Sequence, residues 1–220
     1  MASLSIGDEE SRLSYKYHLR RAFVLRCDAL TTGSRALDMV LGLGSASLVL
    51  VHGREGAGKS AVLRAAAVSY ATSCGRSALI SVGPWNHMSS LAGLPQATLD
   101  RLVLMRLVDE ESLLAASRAI SLIDFGLVAL DDASYLSSIS RSAAPQSLMA
   151  LALSRAVYRR GIQAIVALSS GISRIRGYDY WWPFADIVVM LETSPDGVHR
   201  ASSAWGDARF RIHGDSISDT

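Results

Sequence analysis

The sequence contains very little lysine or cysteine, and the shortage of cysteine limits the kinds of site that the protein can form. Lysine occurs only at Lys16 and Lys59, so arginine supplies nearly all of the positive charge. The two cysteines, Cys27 and Cys74, provide neither a disulfide framework nor a metal-ligand spacing. We expect both to be small buried apolar residues. The five histidines are scattered without a pair at ligand spacing, which argues against a zinc site.

Long apolar runs are also missing, and none reaches the roughly 18 residues of a membrane-spanning helix. Residues 1–12 are polar and acidic, without the apolar stretch of a signal peptide. The sequence therefore predicts a cytoplasmic protein with no membrane partner. With 50% hydrophobic and 19% charged residues the chain is globular, and its net charge of +2 is too small to indicate nucleic-acid binding by itself.

Short apolar runs alternate with helical patterns through most of the chain. This alternation predicts βαβ units, hence an α/β fold with a mainly parallel sheet covered by helices on both faces. We expect a tail at 1–28, with a short basic helix at 11–23, and one core domain at 29–220. The predicted strands are 47–52, 77–82, 101–107, 126–130 and 162–168, and the predicted helices are 59–74, 109–120 and 146–160.

The C-terminal part has a different pattern. Three short strand-like runs at 186–192, 199–205 and 208–213 are separated by turn-forming residues at 194–197 and 206–207. We expect these runs to form an antiparallel extension on one edge of the sheet.

A glycine-rich segment between the first predicted strand and the first core helix matches the pattern G-x-x-x-x-G-K-S. Glycines at such positions let successive backbone amides turn towards phosphate oxygens, and the helix that follows adds its positive end. The pattern predicts binding of ATP by Gly53, Arg54, Glu55, Gly56, Ala57, Gly58, Lys59, Ser60 and Ala61. A glycine-rich turn with a chance lysine is the alternative.

Two residues of this segment and one carboxylate beyond it suggest the chemistry of the site. Lys59 would reach the β- and γ-phosphates, and the Ser60 hydroxyl would bind Mg²⁺. Asp131, directly after the apolar run Leu127–Leu130, is the predicted second Mg²⁺ ligand and, with Lys59, a predicted catalytic residue. The alternative for Asp131 is an ordinary acid at a strand end. Asp132 could instead cap the following turn.

The sequence resembles the RecA/RadA recombinase superfamily, and within it the shorter, RadB-like archaeal paralogs of RadA. Four segments carry the likeness, from about residue 29 to residue 219: the lead-in 30–44, the glycine-rich segment, the run at 127–131, and the ending 208–212 with 216–219. The resemblance implies a RecA-like P-loop ATPase core, related to proteins that pair homologous DNA.

Several departures from that family limit what the resemblance implies. Gly83 stands where the family has a catalytic glutamate after its second core strand, and no acidic residue occurs from 75 to 97. The polar sensor is replaced by Leu168-Ser169-Ser170, and the segment that caps ATP across a filament interface is shortened to 201–207. Only about 28 residues precede the core, and they contain no convincing Phe-x-x-Ala polymerisation motif. Glu55 is the nearest carboxylate in sequence that could replace this glutamate, but its spacing does not direct it clearly at the water that attacks ATP.

These features favour an accessory paralog of the RadA recombinase that acts in homologous recombination and DNA repair. It would bind ATP, hydrolyse it weakly or not at all, and bind single-stranded DNA or the recombinase, with homo- or hetero-oligomers possible. Two other functions stay open: a RecA-fold assembly subunit without a DNA role, and a KaiC-like signalling ATPase.

The family's DNA-facing loops correspond to 134–145 and 169–183 here. Cations beside aromatic rings suit sequence-tolerant binding of single strands, so we predict DNA contacts by Arg174, Arg176 and Tyr178. The alternatives are a solvated surface loop for 134–145, and for the second stretch tryptophans that pack under the sheet edge or form a protein interface. In that case 182–184 would be the buried part.

Overall fold

The computed structural model describes residue 27 and residues 29–83, 91–139, 144–171, 175–214 and 216–220. The helix predicted at 11–23 lies outside these residues. Among the described helices, none has the length and apolar character needed to cross a membrane.

The described strands form one nine-stranded sheet with the order β3-β2-β4-β5-β1-β6-β7-β8-β9. The neighbours from β3 through β6 pair in parallel, whereas β6 through β9 pair antiparallel. The strands are β1 (Leu48–Gly53), β2 (Ser77–Val82), β3 (Leu102–Leu107), β4 (Leu127–Asp131), β5 (Gln163–Ser169), β6 (Ile187–Thr193), β7 (His199–Ser203), β8 (Gly206–His213) and β9 (Ser216–Asp219). This confirms the predicted α/β fold with an antiparallel C-terminal part.

Helices connect the parallel strands, and three of them follow the sequence predictions closely. The described α-helices are α1 (Arg35–Leu41), α2 (Lys59–Ser73), α3 (Gln96–Leu99), α4 (Glu110–Leu122), α5 (Leu136–Ile139), α6 (Ala144–Arg160) and α7 (Tyr178–Trp181). Short 3-10 helices occur at Ala133–Tyr135 and Trp182–Phe184. The helices α1, α3, α5 and α7 are not among the predicted ones, because four to seven residues are too few for a periodic apolar pattern.

Side chains of β1 alternate between two hydrophobic cores, one on each face of the sheet. Val49 and Val51 pack in the core that contains α2, while Leu48 and Leu50 pack in the core that contains α4 and α6. A strand covered on both faces needs apolar residues at every position. The unbroken apolar run in the sequence has this cause.

The start and the end of the described chain meet beside α1. The Ser34 side chain caps α1 by accepting a hydrogen bond from the Leu37 amide (3.1 Å), and its hydroxyl also donates to Asp219 in β9. Gly33 has a φ of 104°, and a Cβ there would collide with the carbonyl oxygen of Ile217. The lead-in and the ending, which both contribute to the family resemblance, are therefore packed against each other.

Two sequence predictions about local structure are wrong. A disulfide joins Cys27 to Cys74, whose Cα atoms are 5.5 Å apart, so the cysteines are not simply buried apolar residues. Their 47-residue separation hid this contact, which brings residue 27 to the end of α2. The turn predicted at 206–207 lies instead at 204–205, and β8 already begins at Gly206.

Candidate functional site

The glycine-rich segment lies between the carboxyl end of β1 and the beginning of α2, and we call residues 53–60 the glycine loop. Gly56 (φ 80°) and Gly58 (φ 90°) have left-handed backbone conformations that side chains disfavour. Gly58 occupies the N-cap position of α2 and provides no capping side chain. The first amides of a helix have no partner within it, so those of Lys59, Ser60 and Ala61 can bind an anion.

Lys59 is buried at the first position of α2, and its side chain folds back over the loop. Its Nζ donates hydrogen bonds to the carbonyl oxygens of Gly53 and Arg54, both at 2.9 Å. Burial lowers the pKa of Lys59, while the carboxylates of Asp132, Asp131 and Glu55 oppose that shift, Asp132 most strongly. The ammonium group is thus held by carbonyl oxygens of the loop, and the nearby carboxylates favour its charged form.

The position of Gly53 is fixed by the neighbouring strand. A Cβ at Gly53 would collide with the carbonyl oxygen of Leu191 in β6, and would also lie 3.1 Å from the Ala57 side chain. Of the other loop residues, Arg54, Glu55, Gly56 and Ser60 are exposed. Ser60 is therefore accessible to a ligand at the start of α2.

Asp131 and Asp132 end β4 at the same edge of the sheet as the glycine loop. Asp131 is only 4% exposed and lies opposite Ser81 of β2 in the parallel register. Asp132 has left-handed backbone angles (φ 57°, ψ 40°), and its side chain makes no capping hydrogen bond to the following 3-10 helix. The capping role considered for Asp132 is therefore wrong.

The Asp132 carboxylate is held instead by β5, the strand that separates β4 from β1. Ser169 Oγ donates to Asp132 Oδ1 at 2.9 Å. The Ser169 amide donates to Ser134 Oγ (2.8 Å), whose hydroxyl donates to the Arg176 carbonyl (3.1 Å). Burial raises the pKa of Asp132, the Ser169 hydrogen bond opposes this, and the Asp131 carboxylate adds to it.

His52 and Ser170 meet on the other side of the loop, beside an open cleft of about 790 Å³. His52 Nδ1 lies 3.2 Å from Ser170 Oγ. Burial lowers the pKa of His52, and the nearby Lys59 charge lowers it further. The cleft is lined by residues 53–57 of the glycine loop, by Ile175, by Ser170 and Gly171 after β5, and by the carboxyl end of β6.

The antiparallel part of the sheet contacts the glycine loop through a hydrogen bond from Thr193. Thr193 Oγ1 lies 3.3 Å from the Gly56 carbonyl oxygen, to which it donates, and 3.0 Å from His199 Nδ1. The buried His199 ring stacks on Phe210 with a centroid distance of 5.3 Å. The C-terminal strands therefore hold the glycine loop in place, a contact that the sequence pattern does not reveal.

The residues predicted to contact DNA have different environments. Arg174 lies outside the described residues, as does Arg141 in the first of the two loops. Arg176 is exposed, and its amide donates to the Ser169 carbonyl at 3.2 Å, so it lies next to the Asp132 support. Tyr178 is half-buried, stacks on Trp182 at 5.3 Å between ring centroids, and has a pKa raised by burial.

The buried aromatic residue of this segment is Trp181, not Trp182 as the alternative reading expected. Trp181 is fully buried, and its Nε1 donates to Gln146 Oε1 at 3.0 Å, whereas Trp182 is 54% exposed. The stretch 134–145 is not simply a solvated loop either, since Ser134 is buried and residues 144–145 begin α6.

Sequence reasoning missed three polar residues that organise the site from neighbouring strands, and it noted Ser169 only as part of the segment that replaces the family's polar sensor. Ser134, His52 and Thr193 carry no motif of their own. Their signal is only their position, because each lies at or just beyond the carboxyl end of a parallel strand, where ligand sites of open α/β sheets form.

Among the described residues, no group of three or more histidine, cysteine or acidic side chains is arranged to hold a metal ion.

No protein-family model matches the chain, and no curated protein matches it in sequence.

Proposed function

We propose that the chain binds Mg²⁺–ATP at the glycine loop of a RecA-like P-loop core. The observation that carries the proposal is the juxtaposition at one sheet edge of the uncapped beginning of α2, the Lys59 ammonium group and the carboxylates after β4. Amides of the loop and of α2 would hold phosphate oxygens, and Lys59 would exchange its two carbonyl partners for them. Ser60 and Asp131 would hold the Mg²⁺, which neutralises phosphate charge.

The strand order is compatible with this chemistry. β5 lies between β1, which leads into the loop, and β4, which ends in Asp131. A terminal phosphate and a metal ion would lie above the end of β5, between Lys59 and the carboxylates. In open α/β sheets ligands bind at the carboxyl ends of the strands, which agrees with the position of all these groups.

We further propose that the protein is a RadB-like accessory paralog of the RadA recombinase, acting in the cytoplasm in homologous recombination and DNA repair. Three observations support this. The lead-in and the ending that carry the family resemblance are in contact through Ser34 and Asp219. Gly83, directly after β2, provides no carboxylate for efficient hydrolysis. The exposed Arg176 donates its amide to the Ser169 carbonyl, so nucleotide bound at the proposed site could influence DNA contacts.

Nucleotide binding is tested by calorimetric titration of ATP with Mg²⁺ into wild type and Lys59→Ala. We expect the variant to fold and to bind about 10- to 100-fold more weakly, since a charge-assisted hydrogen bond contributes about 1.5–3 kcal/mol. Arg101→Ala, which removes an exposed cation before β3, is the matched control and should bind like wild type. Undiminished affinity in folded Lys59→Ala would refute the assignment of the loop.

DNA binding is tested by titrating single-stranded DNA at several salt concentrations, with and without ATP and with the host recombinase. Arg174→Ala with Arg176→Ala should weaken binding and flatten its salt dependence, because fewer counterions are released from the DNA. Arg118→Ala with Arg155→Ala, on helices at a distance from this edge, controls for the loss of two charges. An unchanged salt slope would exclude this loop as the DNA site. No binding by wild type would favour the assembly subunit instead.

A further inference from the structure

Asp132 has a left-handed backbone conformation that no hydrogen bond of its own side chain to the following turn explains. Among the described residues it is the one non-glycine residue with a positive φ, a backbone conformation that is uncommon outside glycine. Left-handed backbone is normally relieved by glycine, or used by a side chain that caps the next turn. Asp132 does neither, since its side chain makes no capping bond. Strained residues of this kind are concentrated at functional sites.

One oxygen of the Asp132 carboxylate is held by a hydrogen bond, and the other has no hydrogen-bond donor among the described residues. Ser169 donates to Oδ1, and the described residues provide no hydrogen-bond donor to Oδ2. Because Ser169 is itself held by Ser134, the carboxylate has a defined direction at the edge between β4 and the glycine loop. Asp132 is half-buried, so a free carboxylate oxygen there is well placed to accept a hydrogen bond from a ligand or water.

The two strands next to β4 provide no acid at their carboxyl ends, so Asp131 and Asp132 are the acids of this part of the edge. β2 is followed by Gly83, and β5 ends at Ser169 and is followed by Ser170. Asp131 is more deeply buried, and the proposed function assigns it to the metal ion. Asp132 follows β4 at the same edge of the sheet as the glycine loop, and β5, whose Ser169 holds Oδ1, is the one strand between β4 and β1.

We propose that Asp132 is the catalytic carboxylate that orients the attacking water for ATP hydrolysis, a role that rests on the proposed function. Oδ2 accepts a hydrogen bond from the water while Ser169 holds Oδ1. The water oxygen bonds to the γ-phosphorus as the bond from that phosphorus to the bridging oxygen breaks. ADP leaves with the electron pair of that bond, and the proton lost by the water ends on the released phosphate. An aspartate is one methylene shorter than glutamate and reaches less far towards the water, which is compatible with the weak hydrolysis expected from the sequence.

The test compares ligands that differ in resemblance to the transition state. Dissociation constants of ADP, ATP and ADP–fluoroaluminate are measured with Mg²⁺ for wild type, Asp132→Asn and Asp132→Gly, together with single-turnover hydrolysis. Asparagine tolerates left-handed backbone nearly as well as aspartate, and glycine removes the carboxylate without strain, so at least one variant should fold.

In the Asp132 variants, we expect ADP and ATP affinities within about two-fold of wild type, but at least about tenfold weaker ADP–fluoroaluminate binding, since only the transition state includes the oriented water. Turnover should fall on the order of 10²-fold. Asp131→Asn should instead weaken Mg²⁺-dependent binding of all three ligands. Asp124→Asn, which removes an exposed charge before the opposite end of β4, should change nothing.

The outcomes separate this role from the function on which it rests. Nucleotide binding by wild type, with ADP–fluoroaluminate affinity and turnover retained in both Asp132 variants, would overturn the role of Asp132 alone. Failure of wild type to bind any of the nucleotides would overturn the proposed function, and the role of Asp132 with it.

Discussion

At the scale of single residues, the site is dominated by the burial of opposite charges beside a glycine loop. Lys59 and Asp132 both have pKa values shifted towards their neutral forms by burial, and each partly compensates the other. Phosphate oxygens would offer Lys59, and Mg²⁺ would offer the carboxylates, stronger electrostatic partners than they have in the free protein. Residues that are poorly satisfied in the free protein and gain partners from a ligand are a common property of binding sites.

His52 makes the stability of the free protein depend on pH. Its pKa is lowered below 6.5 by burial and by Lys59. Between the lowered value and 6.5 the unfolded chain therefore binds more protons, so the free energy of unfolding rises with pH. We expect stability to fall as pH is lowered from about 6.5. In urea unfolding across this range without nucleotide, His52→Gln should show a weaker decline than wild type.

The matched control is His213→Gln, because His213 is exposed at the end of β8. It should keep the wild-type pH dependence. A decline of the same size in His52→Gln and wild type would mean that another group is responsible.

At the scale of elements, a fully buried tryptophan anchors the short helix α7 to the body of the protein, where Tyr178 also packs against the core. Trp181 is fully buried against the α6 side of the sheet and donates to Gln146 of α6. Its neighbours Tyr178 and Trp182 stack on each other closer to the surface. This arrangement leaves one aromatic pair partly exposed beside Arg176, while the third ring holds the segment.

Substituting the two neighbouring tryptophans one at a time tests whether Trp181 anchors the segment and Trp182 does not. Trp181→Ala should lower the free energy of unfolding by about 3–5 kcal/mol, because it opens a large cavity and leaves Gln146 without its buried donor. Trp182→Ala should lower it by less than about 1 kcal/mol, since more than half of that side chain is already exposed. Denaturant unfolding of the two variants measures both values, and similar losses would contradict the assignment of Trp181 as the anchor.

At the scale of the whole molecule, the parallel and antiparallel parts of the sheet act as one support for the loop. β6 is shared by both parts, and Thr193 at its end reaches the Gly56 carbonyl. The Cys27–Cys74 disulfide attaches the chain before the core to the far end of α2, the helix that begins in the loop. Both ends of the described chain are thus tied to elements that contact the candidate site.

Much of this architecture was predictable, because strands buried on both faces have an unmistakable composition. The runs 48–51 in β1 and 164–168 in β5 are continuously apolar, β2 is interrupted only by Ser81, and each strand ends at or just before glycine or serine. The antiparallel extension was predicted from turn residues, with an error at Gly206. Short helices such as α1 were not predicted, since their formation depends on a cap at Ser34 and on packing against β7 and β8.

The sequence by itself determined the order of strands and helices and the position of the glycine loop, because those depend on local periodicity and on residues adjacent in the chain. It also indicated Lys59 and Asp131 as partners of a nucleotide. Only the tertiary structure decided the left-handed backbone of Asp132, its support by Ser169, the burial of Trp181 in place of Trp182, and the disulfide. Three of these depend on contacts between segments 35 or more residues apart, and Asp132 takes its backbone angles where β4 meets such a contact. No local pattern encodes such contacts.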